Sequence, residues 1–357
     1  MKTISLCMIV KNEEDVLENC LSSVFKATDE IIIVDTGSTD KTKDTARKYT
    51  DKIYDFKWVD DFSKARNYSF SKATKDYILW LDADDIIEEE DLKKLIKLKE
   101  EINEEKDAYS MLYIYSRDEN GKPTYIQERN RLVKREKNYK WERAIHEYLN
   151  IRGNIEKTDI KIIHNKKEIK DTERNLRIYR KLAKETELDE RDGYLYASTL
   201  KAHHKKEEAI KEYETYIKKY IDNYDKNNYY MYKALIELSQ LYKETSNNKE
   251  IEILLTILKY QKPTIDLLNR ISDYLLRNKK YKEAVFWLKI AISIDDETYN
   301  QEYDKFISYI KLGYCYYYLK DYKKAYKYNE LAGKYSNNNK TYKENRSIYL
   351  KYLTGGK

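Results

Sequence analysis

The chain has 357 residues, of which 41% are hydrophobic and 37% are charged, so it holds enough apolar material for folded cores. At roughly 150 residues per domain, this length predicts about two domains. The formal net charge of only +6 argues against a basic nucleic-acid-binding stripe, and three cysteines without a Cys-x-x-Cys pair argue against a disulfide framework or a thiolate zinc site.

The first half of the chain alternates strand patterns with helix patterns. Nearly continuous apolar runs, typical of buried parallel strands, end at Val10, Asp35 and Asp82. Asn12 and Asp40 are the expected caps of the first two helices. The pattern predicts strands at 4–10, 30–35, 52–58, 76–82 and 108–115, and helices at 13–25, 41–49, 62–73 and 88–105. This alternation predicts an α/β fold with a Rossmann-like, mostly parallel sheet.

Three of the predicted strands end at positions that can meet at one edge of the sheet. Parallel α/β sheets bind their ligands at the carboxyl ends of the strands. Val10, Asp35 and Asp82 all stand at such ends. The sequence therefore predicts one crevice to which three separate segments contribute.

An acidic triplet, Asp82-Ala83-Asp84, follows the fourth predicted strand, and Asp85 comes next. Two carboxylates two positions apart in a turn can share one hard divalent cation and leave coordination positions for a diphosphate. A solvated turn or a helix cap is the ordinary alternative for such a triplet. Because Asp82 ends a buried strand, where an unpaired carboxylate is costly, the cation is favoured.

A second acidic residue, Asp35, closes the second predicted strand and precedes the loop at 36–40. Its carboxylate can accept a hydrogen bond from a nucleobase N–H or from a ribose hydroxyl. A plain turn-forming aspartate is the alternative. Gly37 permits the tight turn that either role requires.

The strand patterns fade from about residue 172 onward, and helical patterns with short polar breaks follow. The positions Leu312-Gly313, Tyr316, Tyr322, Ala325 and Ala332 match the spacing of tetratricopeptide hairpins, and divergent copies lie at 193–213, 229–242 and 272–291. An insertion is expected near 295–305. A generic α-helical bundle is the alternative. We therefore predict an α/β domain at 1–180 and an all-α, tetratricopeptide-like repeat domain at 181–357.

Tyrosine is concentrated in the helical half, which holds 27 of the 38 tyrosines after residue 180. Aromatic side chains fill the gaps between stacked hairpins. The run Tyr314, Tyr316, Tyr317 and Tyr318 looks like an aromatic binding surface, although at helical spacing part of it must belong to the core.

Together these features resemble family 2 glycosyltransferases of the GT-A fold. The resemblance covers about residues 3–180, and it extends into the helical half because one subgroup, which contains peptide S-glycosyltransferases and flagellin-modifying enzymes, carries tetratricopeptide repeats after the catalytic domain. The matching blocks include Val34-Asp35-Thr36-Gly37-Ser38 and Trp80-Leu81-Asp82-Ala83-Asp84, with others at 6–13, 58–67, 130–132, 145–147 and 162–165.

The resemblance implies an inverting, metal-dependent transfer of a hexose or N-acetylhexosamine from a UDP-sugar to a protein, peptide or glycan. It implies Mn²⁺ or Mg²⁺ as the cofactor, with Asp82, Asp84 and His164 as ligands. His164 could instead be a partly buried histidine at a strand end. The residues implied to bind the nucleotide sugar are Val10, Asn12, Glu13, Asp35, Arg66, Asp82 and Ala83.

An inverting transferase needs a general base to deprotonate the acceptor. Glu147 is the first choice, because the pair His146-Glu147 falls where the family places its acceptor-side acid. Glu142 and Asp85 are the reserves, and Glu147 could instead be a surface residue or a structural partner of an arginine. Trp141 either stacks on a sugar or packs in the core.

Two other functions are compatible with parts of the sequence. A nucleotidyltransferase also uses paired carboxylates, but the glycine-rich phosphate loop that it usually needs is missing from the sequence. A non-catalytic tetratricopeptide scaffold with a degenerate transferase domain is the main alternative. In the transferase, the repeats are expected to bind the acceptor or to mediate a homodimer.

The sequence also gives expectations about location and partners. The first ten residues lack the apolar core and cleavage site of a signal peptide, and no apolar stretch is long enough for a membrane-spanning helix. We therefore expect a cytoplasmic protein without a membrane span and without a nucleic-acid partner.

Overall fold

The structure, a computed structural model, describes residues 2–119, 121–165, 172–223, 229–245, 247–294 and 301–354. The chain forms two compact units that divide between Lys181 and Leu182. The first unit is built on a mixed, mostly parallel sheet, and the second unit is helical. The predicted fold class, an α/β domain followed by an all-α repeat domain, is confirmed.

The first unit contains one large sheet with the strand order β3-β2-β1-β4-β7-β6-β10-β5 and a small sheet, β8-β9. Its strands are β1 (Ile4–Val10), β2 (Glu30–Asp35), β3 (Ile53–Asp55), β4 (Tyr77–Trp80), β5 (Asp85–Ile86), β6 (Ala108–Arg117), β7 (Pro123–Lys134), β8 (Trp141–Glu142), β9 (Tyr148–Leu149) and β10 (Ile155–His164). Its helices are α1 (Leu17–Val24), α2 (Thr42–Arg47), α3 (Phe62–Lys72) and α4 (Glu89–Glu100), and α5 (Arg174–Glu185) crosses the division between the units.

The strand directions explain how distant segments reach one edge of the sheet. Strands β3, β2, β1 and β4 are mutually parallel, and β6 is parallel to β10. Strand β7 lies antiparallel between β4 and β6, and β5 lies antiparallel to β10. The strand β1 is almost wholly buried, as expected of a central strand that is covered on both faces.

Several element boundaries differ from the prediction. The first helix begins at Leu17 and Asn12 does not cap it; instead Asn12 adopts a left-handed conformation with φ 56°, and its Oδ1 accepts the N–H of Thr39 at 2.8 Å. The loop contact therefore outweighs local capping. The third strand and the fourth helix are shorter than predicted. Asp40 does bind the start of α2, because its Oδ1 accepts the N–H of Thr42 at 3.0 Å.

A buried carboxylate, Glu30, ties together the starts of the central strands. It accepts hydrogen bonds from the Ser5 hydroxyl and from both the N–H and the hydroxyl of Thr74, and it pairs with Lys52. Burial opposes the charge, but these donors outweigh burial and lower the pKa of Glu30 to about 2. The ionised carboxylate therefore stabilises the folded domain.

We expect the Glu30→Gln variant to be less stable than wild type at neutral pH, and we expect this difference to disappear in acid. Because the folded-state pKa lies below the usual 4.5, the stabilisation is present above pH 4.5 and disappears as the pH falls toward 2; it is worth roughly 3 kcal/mol at most. Thermal unfolding of both proteins between pH 7 and pH 3 measures it. Glu18→Gln, which alters an exposed glutamate paired with Lys48, is the control. A gap between wild type and Glu30→Gln that stays constant with pH contradicts this role.

The second unit consists of antiparallel helix pairs followed by a final helix. The described helices are α6 (Glu190–Ala202), α7 (Lys206–Tyr220), α8 (Tyr229–Lys243), α9 (Asn247–Ile257), α10 (Ile265–Arg277), α11 (Tyr281–Ser293), α12 (Gln301–Tyr318), α13 (Tyr322–Gly333) and α14 (Lys340–Leu353). None of the helices in the described part of the chain is both long enough and apolar enough to cross a membrane.

Small residues allow the paired helices to approach closely, as the tetratricopeptide spacing predicts. A Cβ on Gly313 would lie 3.2 Å from the Ala325 carbonyl oxygen and 3.3 Å from the Tyr349 ring. Ala284, Ala325 and Ala332 are fully buried. The expected insertion falls partly on residues 295–300, which lie outside the described residues.

The tyrosine run on α12 divides between core and surface. Tyr316 is buried and stacks on Tyr328 with ring centroids 5.3 Å apart. Tyr314 and Tyr318 are exposed, and Tyr318 stacks on Tyr281 at 4.9 Å. The run is therefore part core and part surface, and a binding role for the exposed rings stays a prediction.

Candidate active site

The carboxyl ends of β1, β2 and β4 meet at one edge of the sheet. Val10 and Asp35 are register partners on the parallel strands β1 and β2. Strand β4 pairs with the other side of β1, so the acidic triplet that follows it reaches the same edge. The structure thus brings the three segments to one edge of the sheet, as the sequence predicted.

The Asp35 carboxylate has one oxygen that is used by its own loop and one that is not. Its Oδ2 accepts the N–H groups of Gly37 and Ser38, both at 3.0 Å, and Gly37 has the positive φ of 106° that this turn requires. Its Oδ1 is buried without a hydrogen-bond partner among the residues that the structure describes. A buried acceptor of this kind is suited to a ligand donor.

A buried arginine, Arg66, joins the acidic triplet to the predicted base. Its Nη2 donates to Asp82 Oδ1 at 2.7 Å, and its Nε donates to Glu147 Oε1 at 2.8 Å. Its guanidinium also lies over the rings of Trp80 and Trp141, at 5.1 and 4.8 Å from their centroids. Burial opposes its charge, but the two carboxylates outweigh burial and raise the pKa of Arg66.

A second arginine, Arg131, is fully buried at an irregularity of β7. The pairing jumps from Ser110↔Asn130 to Tyr109↔Leu132, so Arg131 is the extra residue of a β-bulge. Its guanidinium lies 3.8 Å from the centroid of Trp80. The bulge therefore directs a charged side chain of β7 into the interior beside the acidic triplet.

Asp85 is the partner of this buried arginine. Its Oδ2 lies 3.0 Å from Arg131 Nη1 and accepts the N–H of Asp82 at 2.9 Å, while its Oδ1 accepts the Tyr113 hydroxyl at 2.8 Å. Burial raises the pKa of Asp85 to about 6, against the opposing charge of Arg131. With both oxygens occupied and no exposed surface, Asp85 anchors the turn and is poorly placed to act as a base.

The carboxylate of Asp82 has the opposite electrostatic environment. Burial disfavours its charge, but Arg66 and then Arg131 outweigh burial and, with a smaller effect from Arg129, lower the pKa of Asp82 to about 2. Asp82 is therefore ionised and held by guanidinium groups. Its predicted role as a metal ligand stays a prediction.

Asp84, Asp85 and His164 offer ligand atoms that all lie within 4.8 Å of one another. They meet because β5 pairs antiparallel with β10, which sets His164 opposite Asp85. Asp84 Oδ2 lies 3.5 Å from His164 Nδ1. Burial, opposed by His164 and assisted by Asp82, raises the pKa of Asp84, so a cation would relieve the cost of its charge.

Tyr113 contacts both His164 and Asp85. Its hydroxyl lies 3.0 Å from His164 Nδ1 and donates to Asp85 Oδ1 at 2.8 Å. His164 Nδ1 also lies 3.5 Å from Asp84 Oδ2, so this ring nitrogen is the one that faces the acidic turn. Carboxylate and imidazole ligands suit Mn²⁺, and an oxygen-rich set suits Mg²⁺.

The segment that carries the predicted base is fixed to α3 by Asn67. Its side-chain amide donates to the Trp141 carbonyl, and its Oδ1 accepts the Trp141 N–H, both at 2.9 Å. Trp141 is buried against Trp80 with ring centroids 4.7 Å apart, so it packs in the core. The reserve base Glu142 is held by Tyr148 and Asn150.

Sequence reasoning missed two features of this site. Tyr113 gave no signal because it lies inside a strand of aromatic and apolar residues. Arg131 did give one, since it is a charged residue directly before the apolar pair Leu132-Val133, a pattern that indicates a buried, paired charge.

Comparisons with known proteins show which family the region that forms this site matches. Residues 5–165 match the family described as glycosyl transferase family 2. This region is a family 2 glycosyl transferase domain. The SPbeta prophage-derived glycosyltransferase SunS of Bacillus subtilis is 28% identical over 321 residues, which cover 84% of this chain and 72% of SunS.

Two further matches cover a smaller part of this chain than SunS does. A TPR repeat-containing protein of Synechococcus elongatus is 48% identical over 85 residues, which cover 24% of this chain but only 21% of that protein. Among solved structures, TarS of S. aureus is 17% identical with a TM-score of 0.34, covering 56% of this chain and 43% of TarS. The prediction of a family 2 glycosyltransferase with tetratricopeptide-like repeats is confirmed by the family match and by the similarity to SunS.

The two neighbouring aspartates of the glycosyl transferase domain should differ in their effect on stability. We expect Asp85→Asn to destabilise the domain by roughly 3 kcal/mol, because it removes the carboxylate nearest to the buried Arg131 and leaves that charge only the more distant Asp82, at 4.0 Å. Asp84→Asn, which removes a carboxylate with a partly exposed side chain, should cost about 1 kcal/mol or less. Urea unfolding of both variants measures the difference, and equal losses would contradict the division of roles.

Proposed function

We propose that the protein is an inverting, metal-dependent glycosyltransferase that moves a hexose or N-acetylhexosamine from a UDP-sugar to a protein, peptide or glycan. The observation that carries this proposal is the position of Glu147. One guanidinium, that of Arg66, holds it at 2.8 Å while also binding Asp82 of the acidic triplet at 2.7 Å. A candidate base and a candidate diphosphate site are therefore joined by a single buried side chain.

The donor side of the crevice is suited to a uridine nucleotide. Asp35 Oδ1 would accept the N–H of the uracil ring, which satisfies the buried acceptor. Asn12 and Glu13 would line the pocket from a loop whose N–H groups donate to the hydroxyls of Ser38 and Thr42. The remaining residues proposed to bind the nucleotide sugar are Val10, Arg66, Asp82 and Ala83.

Asp84 and His164 would hold the divalent cation, with Asp82 as the third proposed ligand. Bound Mn²⁺ or Mg²⁺ would supply positive charge to the diphosphate oxygens of the leaving group. The nitrogen of His164 nearest to Asp84 is Nδ1, at 3.5 Å from Asp84 Oδ2. Asp85 serves indirectly, because it fixes the turn through the Asp82 N–H.

Glu147 would act as the general base. As the acceptor heteroatom bonds to C1 of the sugar, its proton passes to Glu147, and the C1–O bond breaks with its electron pair leaving on the diphosphate of UDP. Attack from the face opposite the leaving group inverts the configuration at C1. Arg66 Nε fixes the orientation of Glu147 through Oε1.

The repeat unit, proposed as the domain 181–357, would bind the acceptor or mediate a homodimer. Two observations support a shared function of both halves. The similarity to SunS extends over 84% of this chain. The stacked, partly exposed rings of Tyr281, Tyr314 and Tyr318 also provide an aromatic surface of the kind that protein partners use.

The proposed function is tested by UDP release from UDP-glucose and UDP-N-acetylglucosamine with Mn²⁺. Wild type should release UDP, and chelation of the metal should abolish release. Glu147→Gln should lower release by about 10²–10⁴-fold, the usual contribution of a general base, while UDP still binds. Glu142→Gln, in which the altered glutamate lies in the same segment, should remain within about threefold of wild type. UDP release by Glu147→Gln at the wild-type rate would rule Glu147 out, and a wild type that binds no donor would favour a non-catalytic scaffold.

A further inference from the structure

A third arginine, Arg129, lies at the crevice, and its guanidinium forms no ion pair with a carboxylate of the described residues. Arg66 and Arg131 are committed to Asp82, Glu147 and Asp85. Arg129, in contrast, has no carboxylate within 4.0 Å among the residues that the structure describes, although its side chain is only partly exposed. A partly buried guanidinium without an anionic partner is suited to an anionic ligand.

Two tyrosine rings hold this guanidinium in place. Its carbon lies 4.7 Å from the Tyr113 centroid and 5.3 Å from the Tyr115 centroid. Its Nη2 donates to the Tyr115 hydroxyl. Cation–π contact and this hydrogen bond restrict the rotamers of the side chain, so little entropy is lost when a ligand binds.

The same tyrosines connect Arg129 to the proposed metal site. The Tyr113 hydroxyl contacts His164 Nδ1 at 3.0 Å, and the Tyr115 ring lies 5.9 Å from the His164 ring. Arg129 and Arg131 both lie over the Tyr113 ring, at 4.7 and 4.6 Å from its centroid, and Arg131 Nη1 lies 4.0 Å from Asp82 Oδ2. The guanidinium of Arg129 therefore shares a tyrosine neighbour with the acidic triplet's arginine and with His164.

The sheet topology places Arg129 one strand farther from Asp35 than the acidic triplet. Strand β7 runs antiparallel to β4, and their pairing extends as far as Leu132↔Leu79, so earlier residues of β7 project past the carboxyl end of β4. In the strand order β2-β1-β4-β7-β6-β10, Asp35 lies at the end of β2 and Arg129 lies on β7. A nucleotide whose base lies at Asp35 would therefore pass the end of β4 before its distal phosphate reaches Arg129.

We propose that Arg129, held by Tyr115, binds the distal phosphate of the UDP-sugar and neutralises it as the leaving group departs. This inference rests on the proposed function and adds a residue to it. Two parallel guanidinium N–H groups match the oxygens of a phosphate. The charge that develops on that phosphate as the sugar leaves is stabilised most where a donor is already positioned.

Calorimetry with UDP and UMP in the presence of Mn²⁺ tests the assignment. Arg129→Gln should weaken UDP binding by about ten- to hundredfold, the usual value of a charge-assisted contact, and should weaken UMP binding by less than about threefold. Arg117→Gln is the matched control, because Arg117 belongs to the same β6–β7 hairpin but pairs with Glu88. It should bind both nucleotides like wild type.

A second, more conservative variant distinguishes loss of the phosphate contact from loss of folding. Tyr115→Phe removes only the hydroxyl that accepts from Arg129, and it should weaken UDP binding by a smaller factor than Arg129→Gln. Unchanged UDP affinity in both variants overturns the proposal, and an equal loss for UDP and UMP overturns the assignment to the distal phosphate. Failure of wild type itself to bind UDP with Mn²⁺ would count against the proposed function. This result differs from failure of the Arg129 proposal, in which wild type binds UDP and the variants bind it equally well.

Discussion

The contact on which the site depends is the packing of two buried guanidinium groups against Trp80. Arg66 and Arg131 lie 5.1 and 3.8 Å from that ring, and they bind Asp82, Asp85 and Glu147. Buried charges are tolerated only when they are paired, and removing one partner leaves the other at high cost. The network therefore fixes the acidic turn after β4 and the segment of the candidate base in one arrangement, and it does so before any ligand arrives.

The parts of this arrangement that the sequence predicted are those with a local signal. Buried strands appear in the sequence as apolar runs, and the residues at their carboxyl ends, Asp35 and Asp82, follow directly from the strand assignments. The sequence alone did not predict that Arg66 would contact Glu147, because the two residues are 81 positions apart. That contact joins α3 to the segment around β8, which Asn67 holds through Trp141, and local periodicity does not contain such long-range pairing. The failure of Asn12 to cap α1 has the same cause, since its partner Thr39 lies on another loop.

In the helical unit, steric contact made the repeats predictable. Gly313 lies against a backbone oxygen and a tyrosine ring so closely that an added Cβ would be 3.2 and 3.3 Å from them, tighter than an ordinary contact, so a small residue is favoured there for a physical reason. The tyrosines are less constrained: Tyr316 is buried, whereas Tyr318 two positions later is exposed. Hydrophobic periodicity alone assigns both to helices, but only the positions of neighbouring helices decide which ring is covered.

Titration of UDP into the wild-type protein and into Asp84→Asn, each with Mn²⁺ and with a chelator, tests most directly whether the crevice binds a nucleotide through a metal ion. Wild type should bind UDP with Mn²⁺ and bind it at least about tenfold more weakly with the chelator, because loss of a ligand or its support commonly costs 10–100-fold in metal sites. Asp84→Asn should show the weak affinity under both conditions. Equal UDP affinity with and without metal, or an Asp84→Asn variant that binds like wild type, would contradict a metal-bound nucleotide at this edge of the sheet.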